Sequence, residues 1–204
     1  IACFNRDRSA RSAAKHLERL APYRGLVTGI GLDNPEEQGF PEKFSEVFAR
    51  AAELGFHRTT HLDVNVPHTL AHHRDALALL GIERIDHGLN VIDDPALLAE
   101  VRERGIGLTG CATLLYRHSP GSAARRERLE ERFGRIRRLL EAGVRISLNS
   151  DDPGLMQSLY VGDLYLLGFN EGYLTRDAVI ALARHGFHIA WLSEARRVDL
   201  LERF

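Results

Sequence analysis

Two histidines, His61 and His87, and the adjacent carboxylates Asp151 and Asp152 are the residues whose types and settings could do chemistry together. Imidazole nitrogen with carboxylate oxygen is a donor set that suits a divalent metal of the zinc type. His61 closes the run Arg58-Thr59-Thr60-His61 and precedes Leu62-Asp63, a natural place for a metal ligand, although a core or capping histidine fits the same spacing. His87 stands in Arg84-Ile85-Asp86-His87-Gly88. The glycine there allows close backbone approach beside an imidazole that could act as acid, base or electrostatic stabiliser, and an ordinary strand-end histidine looks the same. The strongest local signal is Ser147-Leu148-Asn149-Ser150-Asp151-Asp152-Pro153. Successive carboxylates repel, so holding both near a buried strand end asks for a cation or strong donors. A helix cap with Pro153 at the first helical position would explain one aspartate and leave the other.

Elements must position these residues, and the chain announces them by a repeat of amphipathic helix, glycine and short apolar run, the pattern of a parallel α/β protein. Leu54-Gly55-Phe56 leads into Arg58–His61, Leu80-Gly81-Ile82 into Arg84–His87, Arg104-Gly105-Ile106 into Gly107–Cys111, and Ala142-Gly143-Val144 into Arg145–Asn149. Each glycine is expected to end its helix in the left-handed conformation. With Ile1–Phe4 and Leu26–Gly31 this predicts six strands, alternating with helices over Ser9–Leu20, Pro41–Leu54, Pro67–Leu80, Pro95–Glu103 and Ala123–Glu141 and a terminal group that includes Thr175–His185 and Ser193–Arg203. A complete (β/α)8 TIM barrel takes about 250 residues, so six units in 204 predict an α/β barrel of which this chain covers about the last six βα units. A doubly wound open sheet is the alternative. The barrel is preferred because polar residues end nearly every strand: Asn5 and Arg6; Asp33, Asn34 and Glu36; His61 and Asp63; Asp86 and His87; Cys111 and Thr113; and Asn149 to Asp152. They converge on one face only if the sheet closes. One domain spanning 1–204 is expected, with N-terminal strands missing upstream of Ile1.

Composition narrows the function classes. The net charge is -1, with 27 basic and 28 acidic residues interspersed, so no footprint for nucleic acid or an anionic membrane is present. Arg125-Arg126, Arg137-Arg138 and Arg196-Arg197 read as solvated helix faces. Two cysteines, Cys3 and Cys111, far apart in apolar contexts, suit a reducing compartment, and the cytoplasm is the expected location in the absence of a leader or an apolar span. Neither lysine, Lys15 nor Lys43, falls at a strand end, which weighs against Schiff-base chemistry. Helix packing is the expected role of Phe169, Tyr173 and Phe187.

Gly29-Ile30-Gly31-Leu32-Asp33 through Glu36, then His61, then Arg84-Ile85-Asp86-His87-Gly88, then Ser147 through Pro153, in this order and spacing, resemble the adenosine/adenine deaminase family of the amidohydrolase superfamily. Asp86 and the Gly-Leu-Asp stretch are closer to the adenine branch. The resemblance runs the length of the chain. It implies hydrolytic deamination of an amino-purine or related amino-heterocycle by zinc-activated water, with one zinc per site. It implies His61 as the third zinc ligand, Asp151 as the fourth, His87 as the histidine that orients and helps deprotonate the water, and Asp152 as the carboxylate that hydrogen-bonds the purine. Asp33 and Asn34 are expected to join Asp152 in contacting the substrate. The family's other two ligands come from a His-x-His pair on the first strand, expected upstream of Ile1.

The departure lies after His61. The family protonates the ring from a glutamate in His-Ala-Gly-Glu, and here His61-Leu62-Asp63-Val64 puts Val64 at that place. Proton transfer of this kind is worth about 10²–10⁴-fold, so its loss matters. Three readings stay open: Asp63 supplies the proton from a shifted loop; the site acts on a different substrate; or the protein binds a purine-like ligand without turnover.

Overall fold

The computed structural model describes residues 1–36, 40–63, 69–112, 123–156 and 159–204. Val64 and Thr113 lie outside the described residues. The chain divides into two compact units, Ile1–Glu100 and Val101–Phe204.

In the first unit β1 (Ala2–Asn5), β2 (Gly29–Asp33), β3 (His57–Leu62) and β4 (Arg84–His87) pair in parallel in chain order. The register sets Asn5 beside Asp33, and His61 and Leu62 beside Asp86 and His87, so the polar ends of these strands align. Helices α1 (Ala10–Leu20), α2 (Ser45–Glu53) and α3 (Leu70–Asp75, continued by a π turn over Ala76–Leu80) make the crossovers that parallel pairing demands, and α4 (Pro95–Glu103) follows β4. Ser9 starts α1 by accepting the Ser12 amide, and α1 buries Ala13 and Leu17 at helical spacing. Phe44, Phe48, Ile30, Leu62 and Ile85 are fully buried and form the centre of this unit's core.

In the second unit β5 (Gly107–Cys111) and β6 (Ile146–Asn149) pair in parallel, with α5 (Ala123–Glu141) between them in sequence. Leu129, Phe133, Ile136 and Leu139 make the buried stripe of α5 at spacings of three and four. After β6 come α6 (Pro153–Met156), α7 (Val161–Asn170), α8 (Arg176–Ile189) and α9 (Glu194–Arg203), the last two capped by the Thr175 and Ser193 hydroxyls. Helix α8 lies along β6: the His185 Nδ1 is 3.2 Å from the Ile146 carbonyl oxygen and 3.3 Å from its amide nitrogen. Tyr173 stacks on Phe133 and Phe187 meets Phe204 edge-on, the packing expected of them, whereas Phe169 is half exposed.

The helix-ending glycines behave as the repeat predicts: Gly55, Gly81, Gly105 and Gly143 all take positive φ, from 55° to 80°. The α6 and α7 helices are additions that the repeat did not reveal. Among the described residues no helix is long and apolar enough to cross a membrane.

Candidate active site

Four non-glycine residues among those described have left-handed backbones: Asn34 (φ 72°), Asp63 (72°), His87 (69°) and Asp151 (58°). Each sits at, or within two residues of, the C-terminal end of a strand, β2, β3, β4 or β6. Such a conformation costs of order 1–3 kcal/mol and persists where surroundings over-determine it, which is commonest at functional sites. Asparagine and aspartate tolerate it better than most residues, and the Asn34 backbone amide donates to Asp33 Oδ1 at 2.7 Å.

In the first unit the strand ends bring Asp33, His61 and His87 together. The His61 and His87 ring centroids are 5.0 Å apart, and His61 Nδ1 lies 3.1 Å from Asp33 Oδ1. That pair is an ion contact by distance, but its alignment misses a hydrogen bond, so His61 Nδ1 is a buried polar atom without a hydrogen-bond partner. A carboxylate facing one ring nitrogen is the usual means of orienting a histidine whose other nitrogen binds a metal.

Beneath these groups lies Arg6, fully buried. Its Nε donates to the Asn34 carbonyl at 2.5 Å and its Nη1 to the His61 carbonyl at 2.5 Å, while the guanidinium sits 4.9 Å over the Phe40 ring. Burial pushes its pKa down, and Glu36 and then Asp33 oppose the shift. Glu36, whose side chain is fully buried, accepts from the Asp63 amide at 2.8 Å and faces His72 Nδ1 at 2.5 Å. Asp86 turns to Thr59 Oγ1 at 2.9 Å and Arg84 Nε at 3.2 Å.

Asp63 is nearly buried and fully engaged. Its Oδ1 accepts from Thr69 Oγ1 and from Asn90 Nδ2 at 3.0 Å, and its Oδ2 accepts from the Asn90 amide at 2.9 Å and lies 3.3 Å from His73 Nε2. Burial alone would raise the Asp63 pKa; His73, then Thr69 and Asn90, outweigh it and hold the carboxyl below its ordinary range. The fully buried His73 faces acceptors on both sides, since its Nδ1 is 2.9 Å from the Thr69 carbonyl. Burial would lower its pKa, but Asp63 and the Thr69 carbonyl raise it, which favours the imidazolium.

In the second unit Asp151 and Asp152 follow β6 on the exposed side, just ahead of α6. Arg132 of α5 donates from Nη1 to the Cys111 carbonyl at 3.4 Å. Burial lowers its pKa against the fields of Cys111, Glu131 and Asp151. Asn149 Nδ2 donates to Ser147 Oγ at 2.9 Å, which settles the strand end ahead of the two aspartates.

Arg6 and Glu36 were legible as strand-end residues but not as buried charges, and Thr69, His72, His73 and Asn90 were not singled out at all. The pair His72-His73 inside an otherwise amphipathic helical run is the one sequence signal that marked them, because a buried helical histidine needs partners for both ring nitrogens.

Parallel strands alternating with helices, with histidines and carboxylates on the strands' C-terminal ends, define an α/β-barrel protein of the amidohydrolase kind. The family model described as adenosine deaminase matches residues 1–204, and the chain belongs to that family. It is 38% identical over 202 residues to an uncharacterized deaminase of Schizosaccharomyces pombe, covering 99% of this chain and 57% of that protein. It superposes on the crystal structure of adenine deaminase from Arthrobacter aurescens with a TM-score of 0.84 at 29% identity, covering 98% of this chain and 58% of that one. A zinc-bound amidohydrolase structure from Burkholderia ambifaria matches with a TM-score of 0.82 at 26% identity, covering 98% of this chain and 53% of that one. The chain thus spans little more than half the length of the relatives it matches.

Proposed function

We propose that the protein is a zinc-dependent aminohydrolase that removes the amino group of an amino-purine or related amino-heterocycle. The observation that carries this is the grouping of Asp33, His61 and His87 at adjacent strand ends in a chain of the deaminase family. His61 and Asp151 each supply one metal ligand. The donor chemistry fits: Asp33 faces His61 Nδ1, and the other ring nitrogen has no hydrogen bond or ion pair among the described residues. Zinc, when bound, supplies Lewis acidity that lowers the pKa of water toward neutrality. His87 orients the attacking water and takes its proton. Asp152, Asp33 and Asn34 bind the heterocycle, with Asp33 also steadying His61. The family resemblance implies two further histidine ligands besides these.

Val64 at the place of the family's glutamate favours a second version of this reading, in which the substrate is an amino-heterocycle that does not draw its ring proton from that position. The balanced charge and the two free cysteines support a cytoplasmic protein with a small-molecule substrate rather than nucleic acid.

The test is zinc content and ammonia release measured on the full-length protein across adenine, substituted adenines and pterins. Stoichiometric zinc with turnover on at least one amino-heterocycle is expected. Zinc far below stoichiometric after chelator-free purification would overturn the metal assignment, and heterocycle binding without ammonia would overturn the enzymatic one.

A further inference from the structure

Asp63 is the junction of three strand ends, and we infer that it is a positioning residue that locks the His61-bearing strand end to the His87-bearing one, not the proton donor that replaces the family's glutamate. The inference rests on the reading of His61 and His87 given above.

Every hydrogen-bond partner of the Asp63 carboxylate is a donor. Oδ1 takes Thr69 Oγ1 and Asn90 Nδ2, and Oδ2 takes the Asn90 amide and faces His73 Nε2. A carboxyl that passes a proton to a substrate needs one oxygen free for that substrate. Here both oxygens already accept hydrogen bonds from Thr69 and Asn90, in a side chain that is nearly buried.

The same contacts join elements that carry the proposed chemistry. Asp63 follows His61 by two residues, and Asn90, which gives it two hydrogen bonds, follows His87 by three, in the 3-10 turn Leu89–Asp93. The Asp63 amide donates to the buried Glu36 beyond β2. Thr69 and His73 tie the start of α3 to the same carboxylate. One side chain therefore spans the ends of β3 and β4, and its own amide reaches the end of β2. The left-handed backbone of Asp63 is held in place by this set of bonds, as is the turn that follows the left-handed His87 and Gly88.

The experiment separates clamp from acid by mutating the partners, which touch no substrate in either reading. On the full-length protein, Thr69→Val, Asn90→Ala, Asp63→Ala and Asp63→Asn are compared for kcat, KM and zinc affinity by chelator competition. For the clamp, Asn90→Ala and Thr69→Val lower kcat in the same direction as Asp63→Ala. Zinc affinity falls by about 10–100-fold, the usual effect of losing an outer-sphere support. Asp63→Asn, which keeps one acceptor oxygen and tolerates the left-handed backbone, recovers part of both. The clamp is overturned if Asp63→Ala and Asp63→Asn abolish kcat alike with unchanged zinc affinity while the partner variants stay within about twofold of the parent, the pattern of a proton donor.

A parent protein with no zinc and no turnover is a failure of the functional reading, and the clamp is then judged on unfolding alone. In a double-mutant cycle in urea, the Asp63→Ala/Asn90→Ala variant is expected to be hardly less stable than the worse single variant. Strict additivity of the two losses would overturn it.

Discussion

Replacing Arg6 with methionine removes a charge while nearly keeping shape, and the structure sets how much that should matter. The guanidinium makes two charge-assisted bonds, to the carbonyls of Asn34 and His61, and lies near the buried Glu36 carboxylate. Each such bond is worth about 1.5–3 kcal/mol, so their loss costs about 3–6 kcal/mol. One nitrogen, Nη2, is buried without a partner, and relieving it returns about 1–3 kcal/mol. The net loss is about 3 kcal/mol. For a chain of ~200 residues this lowers Tm by roughly 6–12 °C. Urea unfolding followed by circular dichroism measures it, with the denaturant slope as the check that the same surface unfolds. Because Arg6 spans the ends of β2 and β3, Arg6→Met is also expected to loosen the Asp33–His61 contact. A loss below about 1 kcal/mol at an unchanged slope would refute the premise that these two bonds are net stabilising.

Two further outcomes follow from other parts of the molecule. The Asp63 pKa is held below its ordinary 3.8, so the pair's stabilisation is present above that value and lost as pH falls through the folded value. The His73 pKa is raised above its ordinary 6.5, so its share is present below that value and lost as pH rises through the folded value. The stability gap between the parent and His73→Leu, measured by urea unfolding, is therefore expected to be widest between about pH 4 and 6.5 and to narrow on the alkaline side; a gap that widens from pH 6 to 9 contradicts the assignment. In the second unit, Gly168→Ala would place a methyl 2.8 Å from Leu174 Cδ1 and 2.9 Å from Phe133 Cε1. Overpacking of about 1–3 kcal/mol outweighs the helix-propensity gain of up to about 1 kcal/mol, and thermal unfolding should show a lower Tm; an equal or higher one would mean that the pocket of Phe133 and Leu174 yields freely.

The repeat of helix, glycine and apolar run was sufficient to place the six strands found among the described residues and most helices, because the apolar period and the left-handed demand at Gly55, Gly81, Gly105 and Gly143 are local properties of the chain. Pro95–Glu103 and Ala123–Glu141 were predicted to the residue, whereas α7, Val161–Asn170, was missed, since its apolar run carries no capping hydroxyl to mark a start. The positions of His61, His87, Asp151 and Asp152 at strand ends were legible for the same local reason. What Asp63 does was not. In sequence it is an acid two residues past a histidine, and either a proton donor or a structural carboxylate satisfies that description. Its character depends on Thr69, His73 and Asn90, from 6 to 27 positions away, and on Glu36, 27 positions back, which only the folded chain brings within hydrogen-bond reach. Arg6 shows the same division: the sequence makes it one more strand-end cation, and burial against Phe40 and the Asn34 and His61 carbonyls makes it a support for the site. Periodicity is written in neighbouring residues and so determined the elements; desolvation and partner geometry arise from residues distant in the chain, and the tertiary structure alone decided them.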